Sequence, residues 1–85
     1  MGRHEYRAPL EREWEEHLLR AAVERVKRTA GSRQFQLFDL HVLQGLSVRA
    51  AAQAAGSTVA AVFMAKSRVR RLVRREVKRL EATSQ

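Results

Sequence analysis

Apolar residues recur along this chain at intervals of three and four, the spacing that lines one face of an α-helix. Between Leu10 and Thr29, the positions Trp14, Leu18, Ala21, Ala22 and Val26 share a face, while Glu11, Arg12, Glu15, Glu16 and Arg20 cover the other. Glutamates crowd the start of this stretch and Arg25, Lys27 and Arg28 its end, which complements a helix dipole. Trp14 reads as a core residue on this pattern. Gly31 ends the helix, and Ser32 is placed to cap a second one over about residues 33–44. Its candidate apolar positions are Phe35, Phe38, Leu40, Val42 and Leu43.

Gly45 supplies the next turn, and Ser47 is positioned to cap a short helix, Val48 to Ala55, made almost wholly of small residues. Gly56 breaks it and Thr58 caps a long fourth helix reaching about Leu80. Val59, Val62, Ala65, Val69, Leu72, Val73 and Leu80 form its apolar stripe. Away from that stripe lie Arg68, Arg71, Arg75 and Lys78, flanked by Lys66, Arg70, Arg74 and Arg79. The expected fold is therefore all-α: four helices, closing on a helix-turn-helix with a long basic recognition helix. Residues 1–9 read as a flexible arm, 10–81 as the domain and 82–85 as a loose polar tail.

Eighty-five residues make one domain and leave few apolar positions to spare. The absence of cysteine rules out disulfides and thiolate metal sites and fits a reducing, cytoplasmic setting. No stretch approaches the length of a membrane span, and no secretory leader is visible. Charge adds more once it is located. The net charge is +8, and residues 59–85 hold eight Lys/Arg against two Glu. Most of the excess thus lies on the fourth helix, the footprint of a polyanionic partner.

A helix-turn-helix needs a small residue where its two helices cross, a residue tolerant of positive φ at the turn, and an apolar residue locking the second helix onto the first. Ala52, Gly56 and Val62 stand in that order and at that spacing. In such a motif the first turns of the second helix enter the major groove. Counted from Thr58, the groove-facing positions are Ala60, Phe63, Met64 and Ser67. Lys66, Arg68, Arg70 and Arg71 flank them, within reach of phosphates or a guanine edge, and Arg75 extends the phosphate face.

At this point the chain resembles region 4 of bacterial sigma factors of the extracytoplasmic-function type. The matching stretches are Phe35-Gln36-Leu37-Phe38-Asp39-Leu40, Gly45-Leu46-Ser47, Ala52-Gln53-Ala54-Ala55-Gly56, Val59-Ala60-Ala61-Val62 and Ser67-Arg68-Val69-Arg70. Upstream, Glu11-Arg12-Glu13-Trp14 with Leu18-Leu19 resembles the opening helix of longer relatives. The resemblance spans about residues 10–81. It implies binding to the minus-35 element of double-stranded promoter DNA, docking on the beta flap of the RNA polymerase core, and sequestration by an anti-sigma factor. The DNA positions it carries over are Phe63, Met64, Ser67 and Arg68. Three departures stand out. Ala50 replaces the usual acidic residue after the capping serine, Ser57 replaces an apolar residue after the turn glycine, and Phe63-Met64 replaces a basic residue followed by serine. The melting region of a sigma factor has no counterpart here, so the sequence reads as an excised domain or a stand-alone relative.

Other chemistry finds little support. His4, His17 and His41 are too scattered to ligate a metal, and the glutamates of the first helix suit a solvated face. No nucleophile–base pair or glycine-rich phosphate loop is present, so no enzyme, cofactor or catalytic residue is expected. The fourth helix needs its apolar stripe to close the bundle, which argues against a membrane partner. The alternatives are a helix-turn-helix regulator unconnected to sigma factors and a helical protein-interaction module.

Overall fold

The computed structural model describes residues 9–83, with side chains from Glu11 onward, and is all-helical. The arm expected over residues 1–9 lies outside the described residues apart from Pro9, the first residue of α1 (Pro9–Thr29). Proline is tolerated there because the first-turn N–H groups of a helix have no intrahelical acceptor. Then follow α2 (Ser32–Phe38), a π-helical turn (Asp39–Leu43), α3 (Val48–Ala55) and α4 (Val59–Thr83). Ala82 and Thr83 therefore end α4, where a loose tail was expected; residues 84–85 lie outside the described residues.

Two small cores share α4 as their common wall. Along the middle of α4, Val69 and Val73 pack with Ala22 and Val26 of α1 and with Phe35 and Phe38 of α2. The two phenylalanine rings meet tilted at 45°, their centroids 5.8 Å apart, within the range of favourable aromatic pairs. Nearer the start of α4, Val62 and Ala65 pack with Ala51 and Ala52 of α3 and Leu37 of α2. Helix α2 thus serves both cores, with Phe35 and Phe38 on one side and Leu37 on the other. Leu37 belongs to the core although the apolar periodicity alone passes over it.

Four expectations are corrected. Trp14 is not core: it is 49 % exposed and stacks on His17 at 6.0 Å. Leu18 is the first buried side chain described in α1, and the cluster on this helix is centred on Ala22 and Val26, two to three turns past the tryptophan. Ser32 does not cap α2. It is the helix's first residue, and Gly31 holds the cap position with no side-chain hydrogen bond. The second helix does not run evenly to Gln44, because its last turn widens. The Gln44 N–H donates to the Asp39 carbonyl five residues back (2.8 Å), and the Gln44 amide to the Asp39 carboxylate (3.0 Å). The widened turn carries Val42 and Leu43 off the buried face, and both are exposed. Val59 is exposed as well, standing at the start of α4 ahead of the crossing at Val62.

Candidate nucleic-acid interface

The turn between α3 and α4 is built from local hydrogen bonds that the side chains dictate. Ser47, in extended conformation, accepts from the Ala50 N–H at 3.0 Å and so starts α3. At the other end Gly56 adopts φ 63°, ψ 41°, a left-handed conformation that costs an L-residue with a side chain about 1–2 kcal/mol. Its N–H reaches the Gln53 carbonyl at 3.2 Å, and the Ser57 N–H reaches Ala52 at 2.8 Å. That bond pair is the Schellman closure of a helix, here without its usual apolar contact because Ser57 stands in that place. Thr58 then accepts from the Ala61 N–H at 3.1 Å and opens α4. The chain bends by 103° between the two helices. Ala52 is buried at the crossing, and Val62 is fully buried against it.

A further tie comes from outside the turn. The Arg33 guanidinium donates to the Gly56 carbonyl at 3.3 Å, linking the start of α2 to the turn across 23 residues of sequence. Gln34 stands beside Met64, Ser67, Arg68 and Arg71 and lines one shallow surface hollow with them. Neither residue carries a sequence signal for this position. Their approach to α4 follows from how Phe35, Leu37 and Phe38 seat α2 on the two cores.

Every residue expected at the interface lies on α4 and reaches solvent. Ala60, Phe63, Met64, Ser67, Arg68, Arg70, Arg71 and Arg75 are exposed, and Lys66 is half-buried. Phe63, Lys66, Ser67, Arg70 and Arg71 line a second hollow with Arg74. Successive helical residues turn by about 100°, so the arc opposite Val62, Val69 and Val73 centres on Ala60, Ser67, Arg71 and Lys78. Among the described residues, none of the side chains of Lys66, Arg68, Arg70, Arg71, Arg74, Arg75 and Lys78 makes a hydrogen bond or an ion pair. Glu76 is turned away from this arc, accepting from Arg79 at 3.0 Å. The hydrogen bond from Arg79, aided by the charges of Arg79 and Arg25, holds the Glu76 carboxyl below its usual range.

That leaves a row of cations with no anion of their own facing solvent at close quarters. Their mutual repulsion is relieved by a partner that places negative charge along the row. Among the described residues no cluster of three or more His, Cys, Asp or Glu could hold a metal, and no single helix is long and apolar enough to cross a membrane. Comparison with protein families, with curated proteins and with solved structures returns no match for this chain.

Proposed function

We infer that this chain is a sequence-specific DNA-binding domain that uses α3, the turn at Gly56 and α4 as a helix-turn-helix, with α4 as its basic recognition helix. The observation that carries the reading is the row of unpaired cations on the solvent face of α4, just beyond a tight 103° turn from a short, small-residue helix. The major groove of B-DNA is about 12 Å wide and admits one helix. In this reading the first turns of α4 enter the groove with Ala60, Phe63, Met64 and Ser67. Lys66, Arg68, Arg70, Arg71 and Arg75 then meet the phosphates along its walls, joined by Arg74 and, from α2, by Arg33 and Gln34.

The sequence stretches that resemble sigma region 4 extend the proposal. The domain would recognise a minus-35 promoter element and direct RNA polymerase to promoters in the cytoplasm, at the nucleoid. The polymerase beta flap and an anti-sigma factor are its proposed protein partners. Exposed Trp14, Val42 and Leu43 offer apolar surface for such contacts. Selection of binding duplexes from a random pool by the purified chain, at a fixed salt concentration, tests the reading. A reproducible motif is the expected outcome. Enrichment of no sequence over repeated rounds refutes specific recognition.

A further inference from the structure

Two large apolar side chains stand in solvent at the N-terminal end of the cationic face of α4. Phe63 is 54 % exposed and Met64 68 %, and neither belongs to a core cluster. Helical geometry places them about 50° to either side of the line through Ala60 and Ser67. Those two ridge residues are small and exposed, so the helix axis can approach a surface closely while Phe63 and Met64 straddle the line of approach. Lys66 and Arg70 neighbour Phe63, and Arg68 neighbours Met64. Such a face fits a partner with anions at its rims and apolar groups on its floor, interspersed with hydrogen-bond acceptors for Ser67.

The major groove supplies that combination only at certain bases. Its walls are phosphates, and its one apolar group is the C5-methyl of thymine. Guanine and cytosine edges placed against Phe63 or Met64 would lose hydrogen bonds to water and gain none. An anionic lipid surface fits less well. The residues that would insert deepest, on the line between the two apolar side chains, include Ser67 and Arg71.

We propose that the DNA taken by this face carries thymines at one or two adjacent positions, whose methyl groups Phe63 and Met64 contact. The proposal rests on the DNA-binding reading of α4 and names the bases it prefers. The test uses the full chain and its selected duplex, replacing each thymine in turn by deoxyuridine, which lacks only the methyl. Affinity is read by fluorescence anisotropy at about 0.1 M salt. Burying one methyl corresponds to about 0.8 kcal/mol, so each contacted position loses about fourfold in affinity. Phe63→Ala abolishes the discrimination at one such position and Met64→Ala at its neighbour, while both variants keep the wild-type helical circular dichroism. Specific binding that is indifferent to uracil throughout the site, or uracil losses that persist in both variants, overturns the proposal and leaves the DNA-binding reading standing. Absence of any selected sequence overturns that reading itself, and the proposal with it.

Discussion

Replacing Gly56 isolates the backbone cost of the turn from every packing effect. A Cβ built at this position meets no atom within 4 Å, so the methyl of an alanine there clashes with nothing. The penalty then comes from φ 63° alone. Alanine in the left-handed region costs about 1–2 kcal/mol. A β-branched valine sits there with more strain, and Gly56→Val is expected near the upper end of about 1–3 kcal/mol. Asparagine enters this region more readily, so Gly56→Asn falls below alanine. In a domain of this size each kcal/mol lowers the melting temperature by about 4–8 °C. The alanine variant should therefore melt about 4–16 °C below wild type, with valine lower still and asparagine between wild type and alanine. Thermal melts followed by circular dichroism at 222 nm resolve these differences. Melting temperatures unchanged in both Gly56→Ala and Gly56→Val refute the left-handed turn. An asparagine variant as unstable as valine would show that bulk, not backbone conformation, sets the cost.

Arg71→Ala and Arg75→Ala should each lessen the slope of log K against log salt by about 0.9 and weaken all duplexes alike; a changed sequence preference would place that arginine on a base edge. Val62→Ala, which opens space in the fully buried crossing with α3, should cost about 2 kcal/mol in denaturant titration. Trp14→Ala, on a side chain half in solvent, should stay within about 0.5 kcal/mol of wild type, and the reverse order would put the tryptophan in the core. The carboxyl of Glu76 is depressed in the folded state, so its contribution to stability is present above its ordinary value of 4.5 and is lost as pH falls through the folded value. Glu76→Gln should accordingly flatten the stability profile at acid pH, and an unaltered acid limb would contradict the pair with Arg79.

The parts of this fold legible in the sequence are the helix caps and the glycine turn, where residue types with strong local preferences set the hydrogen bonds. Ser47, Thr58 and Gly56 act on N–H and C=O groups within their own turn, so residue type and spacing suffice to place α3 and the start of α4. The solvent face of α4 was equally readable, since a regular helix converts sequence position directly into direction. What stayed hidden depends on how far each core reaches. Trp14 continues the apolar stripe of α1 in register, and only the extent of the packed cluster shows that it stands outside the core, half exposed and stacked on His17. The π-helical turn depends on Gln44 reaching back to Asp39, which no periodicity announces. Arg33 and Gln34 come to lie beside the proposed interface through the seating of α2, a tertiary effect across more than twenty residues.

Competition between a selected duplex and a shuffled duplex of the same composition and length tests the central claim most directly. The two carry the same phosphates, so the counterion contribution cancels, and the difference isolates base readout at the start of α4. Two or three base contacts, each worth about 1–3 kcal/mol, predict at least about a thirtyfold preference for the selected duplex at about 0.15 M salt. Equal affinity for the two would contradict sequence-specific recognition by this helix.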